Sequence, residues 1–269
     1  MSLIPFMEKR KYKTNPNINF RETEAYLNIK DFIFEIDNGI KSKIQKNDTK
    51  SEMQEDDTKS EVQEDGKLLD IINNIIEKTP LSSAAGRYAN PAMAQVIQQI
   101  ENTTENEYLR NSFGNKIRMD FGTGHELNFL CYIYELYKNQ DEFSISNAQS
   151  ILSQYFKIIR KYTRKFNIEA AGSRGCWSID DYLLLPYVFG SSQNFSKRST
   201  IEMIDEGLFK EAQKENSSVM LSNICKLPWT TINIGMLKMY DEEVLGKRVV
   251  TQHFIYSDLL PEKLVKNKQ

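Results

Sequence analysis

Apolar side chains recur at helical spacing along most of this chain, and this periodicity limits the fold more than any other feature. Apolar residues at i, i+3, i+4 and i+7 predict amphipathic helices, whereas strands need strict alternation. Alternating runs are scarce, and residues 249–256 form the one stretch that could be extended. We therefore predict an all-α, irregular multi-helix fold. The predicted helices cover residues 20–44, 67–78, 91–100, 126–139, 144–166, 179–190, 200–214, 217–226 and 230–245.

An acidic tandem repeat interrupts this pattern. Residues 48–56 read DTKSEMQED and residues 57–65 read DTKSEVQED. The repeat holds eight acidic residues and two lysines, and such a segment cannot bury enough apolar surface to offset the entropy of ordering its chain. We therefore expect a disordered insertion at residues 46–66 within a single domain that spans residues 1–269. A neutral expansion of the repeat explains it better than a functional role, although a functional role is open.

Composition excludes several classes of protein. A chain of 269 residues can bury a large core, and its formal net charge of −2 gives no ground for a nucleic-acid partner. No apolar run reaches the roughly 18 residues that suggest a membrane span, and residues 1–11 lack the apolar core of a signal peptide. The three cysteines lie far apart, which fits a reducing compartment. We expect a soluble cytoplasmic protein, with access to the nucleus left open.

A glycine turn at residues 122–126, Gly-Thr-Gly-His-Glu, leads into one of the predicted helices. Glycines let a backbone turn sharply and let a ligand approach its N–H groups. The first turn of the following helix adds unpaired N–H donors and the positive end of the helix dipole. Together these features outline an anion site, and phosphate is the usual anion. Arg118, just upstream, supplies a guanidinium suited to phosphate.

This turn matches neither common nucleotide signature. A Walker loop needs a longer glycine spacing and a lysine before Ser or Thr, and a dinucleotide fingerprint needs a preceding strand, which residues 104–121 do not predict. In the structural alternative, Gly122 and Gly124 shape a loop and Thr123 caps the helix. Local chemistry alone leaves both interpretations open.

A second polar turn, residues 172–181, reads Gly-Ser-Arg-Gly-Cys-Trp-Ser-Ile-Asp-Asp. In the structural interpretation, Ser178 caps the helix that follows it, with Asp180 and Asp181 in the favourable first turn. In the functional interpretation, Asp181 and a backbone carbonyl such as that of Gly175 bind a hydrated Mg²⁺, which needs few protein oxygens. On local grounds the structural interpretation is favoured over the functional one.

The two histidines, His125 and His253, carry no catalytic signature of their own. Neither has a Ser or Cys nucleophile beside it in a triad-like pattern. No spacing typical of a zinc site is present. The usual interpretation of each histidine is structural, so the residues alone identify no catalytic side chain.

Three stretches resemble the phosphotyrosyl phosphatase activator family, the activators of serine/threonine protein phosphatase 2A. The first is residues 112–129, SFGNKIRMDFGTGHELNF, the second is residues 172–193, and the third comprises residues 239–240, 244–247 and 252–254. Weaker similarity runs from about residue 20 to residue 90, so the resemblance covers nearly the whole chain apart from the acidic repeat. The sequence departs from the family pattern at Phe121, Arg174 and Cys176, and none of these is assigned to ligand binding.

The resemblance implies an all-helical fold with core, linker and lid parts and a nucleotide pocket between them. It implies ATP and Mg²⁺ as cofactors. By position, the residues that would contact ATP are Arg118, Thr123, Gly124, Val250, Gln252 and His253, and those at the Mg²⁺ are Gly175 and Asp181. The anion hypothesis for the glycine turn agrees with ATP as the ligand. The resemblance also favours the magnesium interpretation of Asp181 over the structural one.

The resemblance also implies activation of the phosphatase 2A catalytic subunit, together with its scaffold subunit, and peptidyl-prolyl cis–trans isomerase activity on a proline-containing segment. The barrier to peptide-bond rotation is about 18–20 kcal/mol. A pocket that binds the twisted amide best lowers this barrier without a nucleophile, so no catalytic residue is named. The competing hypothesis is a regulatory chaperone that only binds and stabilises the active phosphatase. A third, an independent ATPase, needs a water-positioning base, for which Glu126 is the candidate.

Overall fold

The computed structural model describes residues 12–49, 63–172, 178–216 and 218–265, and helices make up most of this part of the chain. This confirms the all-α prediction. The α-helices are α1 (Glu24–Thr49), α2 (Gln63–Lys78), α3 (Ala92–Thr103), α4 (Glu107–Arg110), α5 (Thr123–Asn139), α6 (Ile145–Lys165), α7 (Leu185–Ser192), α8 (Leu208–Lys214), α9 (Val219–Ile224), α10 (Trp229–Tyr240) and α11 (Arg248–Thr251). The other helical elements are 3₁₀ turns at Phe20–Glu22 and Ile201–Met203 and a π-helical turn at Asp241–Leu245.

Local capping chemistry sets several helix ends. Ser144 and Asn147 form a capping box at the start of α6, in which each side chain bonds to the backbone of the other residue. Asn106 caps α4 by accepting the backbone N–H of Leu109 at 3.0 Å. Such caps satisfy N–H groups that the helix itself leaves unpaired. The start of each of these helices therefore depends on residues that lie next to it in the sequence.

The helix predicted at residues 179–190 begins later, at the first residue of α7, so the interpretation in which Ser178 caps it is wrong. The Asp180 carboxylate accepts the backbone N–H of Tyr182 at 2.8 Å, and this Asx-type turn bends the chain before a helix can form. Pro186 then lies in the first turn of α7, where its missing N–H is not needed. The Ser178 hydroxyl donates to the Asp180 carbonyl at 3.1 Å instead.

Within the described residues, two pairs of very short strands connect distant parts of the chain. The strands are β1 (Lys13–Thr14), β2 (Asp120–Phe121), β3 (Glu169–Ala170) and β4 (Ile255–Tyr256). β1 pairs antiparallel with β4, and β2 pairs parallel with β3. The second pairing places the glycine turn, which follows β2, beside the residues that follow β3.

Within residues 249–256, the stretch that the sequence allows to be extended, the strand is β4. The backbone N–H groups of Val250 and Thr251 bond back to the carbonyl of Lys247, at 2.9 Å and 3.1 Å, and these bonds form the single turn of α11. β-Branched residues favour strands only weakly, and tertiary context overrides that preference here.

Helix α7 lies inside the helical core, with all of its residues buried. It packs against α1, α8 and α10. The side-chain amide of Asn233 on α10 donates to Asp37 on α1 at 2.9 Å, and to the hydroxyls of Ser191 and Ser192 on α7 at 3.1 Å. A buried carboxylate needs such partners. This network therefore fixes the relative positions of three helices.

Helix α5, which begins at the glycine turn, is held by aromatic packing. Phe129 of α5 and Tyr155 of α6 stack with their ring centroids 3.6 Å apart. The Tyr155 hydroxyl donates to the carbonyl of Ser112 at 2.7 Å, and burial raises the pKa of this phenol, so it remains a donor. These contacts fix α5 relative to the segment that precedes the glycine turn.

The acidic insertion predicted at residues 46–66 overlaps the end of α1 and the start of α2. Helix α1 ends at Thr49 and α2 begins at Gln63, so both helices run into the ends of the insertion. Residues 50–62 lie outside the described residues, and the disorder of the insertion stays a prediction. Across the described ranges, no helix is both long enough and apolar enough to cross a membrane.

Candidate functional site

A cleft of about 710 Å³ lies between the glycine turn and the C-terminal part of the chain. Its volume falls within the roughly 300–1,000 Å³ of small-molecule sites. Residues from two segments distant in sequence, 111–128 and 247–255, line it, and residues 171–172 lie on a third side. The predicted ligand-binding residues on this lining are Arg118, Thr123, Gly124, Asp181, Val250, Gln252 and His253. Gly175, the other predicted metal-binding residue, lies outside the described residues.

The glycine turn allows two segments to approach closely. Gly122 is the N-cap of α5 and has extended backbone geometry, but a Cβ there would lie 3.0 Å from the Cβ of Ala171. Its carbonyl accepts the N–H groups of His125 at 2.8 Å and of Glu126 at 3.4 Å. Thr123 is the first helical residue, so the interpretation of Thr123 as the cap is wrong. A glycine cap has no side chain of its own to satisfy the first N–H groups of α5.

The N-terminus of α5 lies at the cleft wall, because both Thr123 and Gly124 line the cavity. The positive end of the dipole of a 17-residue helix is therefore directed at the cleft. A Cβ on Gly124 would lie 3.7 Å from the Cγ1 and the carbonyl oxygen of Val250, which is ordinary contact. The helix start and the C-terminal wall thus meet at this point.

Arg118 is positioned by its own turn. The Asn115 side-chain oxygen accepts the backbone N–H groups of Ile117 at 3.0 Å and of Arg118 at 2.8 Å. The Arg118 Nε donates to both carboxylate oxygens of Asp120, at 3.1 Å and 3.3 Å. About half of the Arg118 side chain is exposed. Because this bond uses Nε, the two terminal nitrogens of the guanidinium can serve a ligand in the cleft.

His125 is a neutral side chain of the cleft lining. Burial lowers its pKa, and the hydrogen bond to the Asn111 carbonyl opposes this effect only in part. The Nδ1 atom lies 2.8 Å from that carbonyl oxygen, so Nδ1 carries the proton and Nε2 is an acceptor. The ring packs against Phe121 with centroids 5.5 Å apart. His125 therefore supplies no positive charge to the site near neutral pH.

The two adjacent acids, Asp180 and Asp181, have different roles. Asp180 is buried, forms an ion pair with Arg160, and accepts a hydrogen bond from the Tyr187 hydroxyl at 3.3 Å. Asp181 is half-buried and lines the cleft. Its carbonyl oxygen lies 3.7 Å from where a Cβ on Gly122 would be. Asp180 therefore holds the loop in place, and Asp181 is the acid that faces the cavity.

Glu126 does not take part in the cleft. It is fully buried, and its carboxylate accepts the backbone N–H of Leu184 at 2.9 Å and 3.1 Å and that of Leu185 at 2.9 Å. This carboxylate caps the start of α7, where negative charge is favourable. The hypothesis that Glu126 positions a water for ATP hydrolysis is therefore wrong.

The C-terminal wall follows the π-helical turn Asp241–Leu245. The Asp241 carbonyl accepts the N–H of Gly246 and the Arg21 Nη2, each at 2.8 Å, which ends this turn. The Asp241 carboxylate accepts the Tyr26 hydroxyl at 2.8 Å and the Lys30 Nζ at 3.1 Å. π-Helical turns shift the direction of a chain and are frequent at functional sites. The turn is thus clamped to the N-terminal part of α1 just before the residues that line the cleft.

The cleft contains polar side chains that the sequence alone did not assign. They are Asn111, Asn115, Asp120, Asn128 and Lys247. Asp120 and Asn115 belong to the same motif as Arg118, so their proximity to it was a usable signal. Lys247 had no such signal, because its place on the wall depends on the π-helical turn before it. Within the described residues, no group of three or more His, Cys, Asp or Glu is placed to hold a metal ion.

Comparison with known proteins agrees with this fold. The chain matches the family described as "Phosphotyrosyl phosphate activator (PTPA) protein" over residues 8–217 and 199–262. It is 42% identical over 247 residues to the serine/threonine-protein phosphatase 2A activator of Encephalitozoon cuniculi, covering 90% of this chain and 94% of that protein. It is 28% identical over 292 residues to the serine/threonine-protein phosphatase 2A activator 1 of Schizosaccharomyces pombe, covering 90% and 86%.

A solved structure has the same fold. The crystal structure of the PP2A phosphatase activator Ypa1 PTPA1 superposes with a TM-score of 0.73 at 22% identity, covering 97% of this chain and 98% of that one. The protein is thus of the helical class to which that activator belongs. More narrowly, the chain belongs to the PTPA family, as its sequence motifs predicted.

Proposed function

We propose that this protein activates serine/threonine protein phosphatase 2A by binding and remodelling its catalytic subunit, in complex with the scaffold subunit, with the help of ATP and Mg²⁺. The phosphatase is the one named in the descriptions of the relatives. One observation carries the nucleotide part of the proposal. The glycine turn and the C-terminal residues, which lie far apart in the sequence, line the same cleft.

The donors of the cleft suit a polyphosphate. The start of α5 lies at the cavity wall, which brings the positive end of its dipole to the cleft, and Arg118 lines the same cavity. On the opposite wall, Gln252 and His253 offer hydrogen-bonding side chains, and Val250 offers an apolar surface. These residues would hold the phosphates and the nucleoside of ATP between the two walls.

Asp181 would hold Mg²⁺ together with the phosphates, with Gly175 as the second proposed protein ligand. Magnesium keeps several waters and commonly uses one or two carboxylates plus phosphate oxygens. A single carboxylate at the cleft, as Asp181 provides, is therefore enough for a nucleotide-bound ion. When bound, the ion would neutralise phosphate charge.

The proposal includes peptidyl-prolyl cis–trans isomerase activity on a proline-containing segment. This part is supported by the family resemblance. Binding the twisted amide more tightly than either planar form is a sufficient physical mechanism, and it requires no acid–base pair. One act could then both isomerise a proline and switch the phosphatase to its active form.

The test of the nucleotide part compares Arg118→Ala with Lys116→Gln. Lys116 lies on the same turn, pairs with Glu101 at 2.6 Å, and is outside the cleft lining. Arg118→Ala should weaken ATP–Mg²⁺ binding by about tenfold and reduce phosphatase activation in parallel, whereas Lys116→Gln should change neither. Activation that proceeds equally without nucleotide would contradict the remodelling proposal.

A protease-free assay of proline-peptide isomerisation tests the enzymatic part. The full chain should accelerate isomerisation above the uncatalysed rate, with the same preparation also activating the phosphatase. Background isomerisation with intact activation would instead support the regulatory chaperone, which stabilises the active phosphatase by differential affinity.

A further inference from the structure

The cleft contains a second cation whose role the proposed function does not use. Among the described residues that line the cavity, Arg118 and Lys247 are the two with Lys or Arg side chains, and Asp120 and Asp181 are the acids. The Arg118 guanidinium is already bonded to both oxygens of Asp120, which offsets its charge before a ligand arrives. His125 adds no charge, because burial lowers its pKa. Lys247 is the cation that remains for a polyanion.

The present partner of Lys247 can be exchanged for a ligand. Lys247 forms an ion pair with Glu243, and both side chains are about two-fifths exposed. Exposed pairs of this kind are weak, because water and salt screen them. Glu243 lies outside the cleft lining, whereas Lys247 is part of it. The ammonium group can therefore leave Glu243 for a phosphate at little cost.

The backbone at Lys247 is fixed close to the anion end of α5. The Lys247 carbonyl accepts the N–H of Val250 at 2.9 Å, and Val250 is the residue that meets Gly124 at the start of that helix. On the other side, the Arg21 guanidinium donates to the Asp241 carbonyl at 2.8 Å and closes the π-helical turn. Lys247 thus starts from a defined place on the wall opposite Arg118.

We propose that Lys247 is a phosphate-binding residue of this cleft and acts from the C-terminal wall as the second cation for the phosphate chain. The proposal rests on the proposed nucleotide function. It adds that Lys247 is the residue by which the cleft distinguishes long from short phosphate chains. A lysine binds phosphate as a point charge, without the fixed geometry of a guanidinium. Its contribution therefore increases with the number of phosphates, and the cleft prefers ATP over AMP partly because of this residue.

The experiment uses Lys247→Gln and, as a matched control, Lys238→Gln. Lys238 pairs with Glu242 in the same i,i+4 arrangement, 3.8 Å apart, but lies outside the cleft lining. Calorimetric titrations of the full chain with ATP, ADP and AMP, with Mg²⁺ present, are made at low and high salt. Lys247→Gln should weaken ATP binding by about five- to tenfold, weaken AMP binding less, and reduce the salt dependence of ATP affinity. Lys238→Gln should match the wild-type chain throughout.

A third variant, Lys247→Arg, keeps the charge and should keep ATP affinity within about twofold of the wild type. This rescue separates loss of charge from damage to the wall, which thermal unfolding of each variant also reports. The proposal is overturned if Lys247→Gln leaves ATP affinity unchanged or weakens the binding of ATP and AMP equally. It is also overturned if Lys238→Gln weakens ATP binding as much as Lys247→Gln does. A wild-type chain that binds no ATP with Mg²⁺ overturns the nucleotide function itself, and this inference with it.

Discussion

The Glu126 carboxylate accepts the backbone N–H of Leu184 at 2.9 Å and 3.1 Å, and so joins α5 to the loop that carries Asp181. One residue at the buried side of the glycine turn therefore positions the acidic side of the cleft. The same carboxylate caps α7 through its bond to the N–H of Leu185 at 2.9 Å. The glycine turn and the loop that carries Asp181, both at the predicted ATP–Mg²⁺ site, are thus connected through the protein interior.

Glu126→Ala should destabilise the protein by about 2–4 kcal/mol, because it leaves buried N–H groups without an acceptor. Glu126→Gln should cost less, since its amide oxygen can still accept one of these bonds. Urea unfolding at constant pH measures the free energy of unfolding of each variant. Glu142→Ala, at an exposed position before α6, is the control and should remain near the wild-type value. Equal stability of Glu126→Ala and the control would contradict the capping role.

Replacing the two neighbouring acids should give opposite results. Asp180→Asn should lower the free energy of unfolding by about 3 kcal/mol, because the Arg160 guanidinium, which is mostly buried, loses its charged partner. Asp181→Asn should cost less than about 1 kcal/mol but remove most of the Mg²⁺ dependence of ATP affinity. Urea unfolding and nucleotide titration with and without Mg²⁺ test the pair. If neither variant changes the Mg²⁺ dependence of ATP affinity, the assignment of Asp181 to the metal is wrong.

Replacement by alanine should affect the stability of the protein differently at two glycines. At Gly190 a Cβ would lie 2.2 Å from the backbone nitrogen of Phe209, so α7 and α8 would have to separate, at a cost of about 1–3 kcal/mol. At Gly246 the nearest atoms belong to the Arg21 guanidinium, 2.2–2.5 Å away. That group is at the end of a flexible side chain and can move aside. Thermal unfolding should therefore show a clear loss for Gly190→Ala and a small one for Gly246→Ala; the reverse order would contradict the described packing.

His125 should make the protein less stable in mild acid. Burial lowers its pKa from the ordinary 6.5, so the unfolded chain binds a proton at a pH where the folded chain does not. The stabilising contribution of the neutral ring is fully present above pH 6.5 and is lost as the pH falls toward the lower folded-state pKa. Urea midpoints at several pH values should decline less steeply in His125→Gln than in the wild type. If His125→Gln keeps the wild-type slope, the effect belongs to other groups.

Much of the helical architecture follows from the sequence, because apolar periodicity and capping are local properties. Helix α6 is an example, since Ser144 and Asn147 set its start and its buried face repeats at helical spacing. The start of α7 was mispredicted for a physical reason. The Asp180 carboxylate accepts the backbone N–H of Tyr182, and the distant Glu126 carboxylate accepts that of Leu184. A contact between residues so far apart in the sequence has no local pattern.

The sequence predicted those parts of the cleft that belong to recognisable motifs. The glycine turn indicated an anion site on its own chemistry, and the resemblance joined it to the C-terminal residues. The sequence could not predict the different roles of Asp180 and Asp181, because the residues are of the same type and their burial decides their roles. Lys247 was missed since its position depends on the five-residue π-helical turn before it, which no periodicity predicts.

The pairing of β1 with β4 has a consequence for how the protein is made. The strand near residue 13 meets its partner only when residues 255–256 exist, and the same late segment forms one wall of the cleft. During translation the earlier helices can assemble, yet the cavity lacks its C-terminal wall until the ribosome has added residues 247–255. A nascent chain that ends before residue 247 would therefore lack this wall, and ligand capture would report that residues 247–255 had been made.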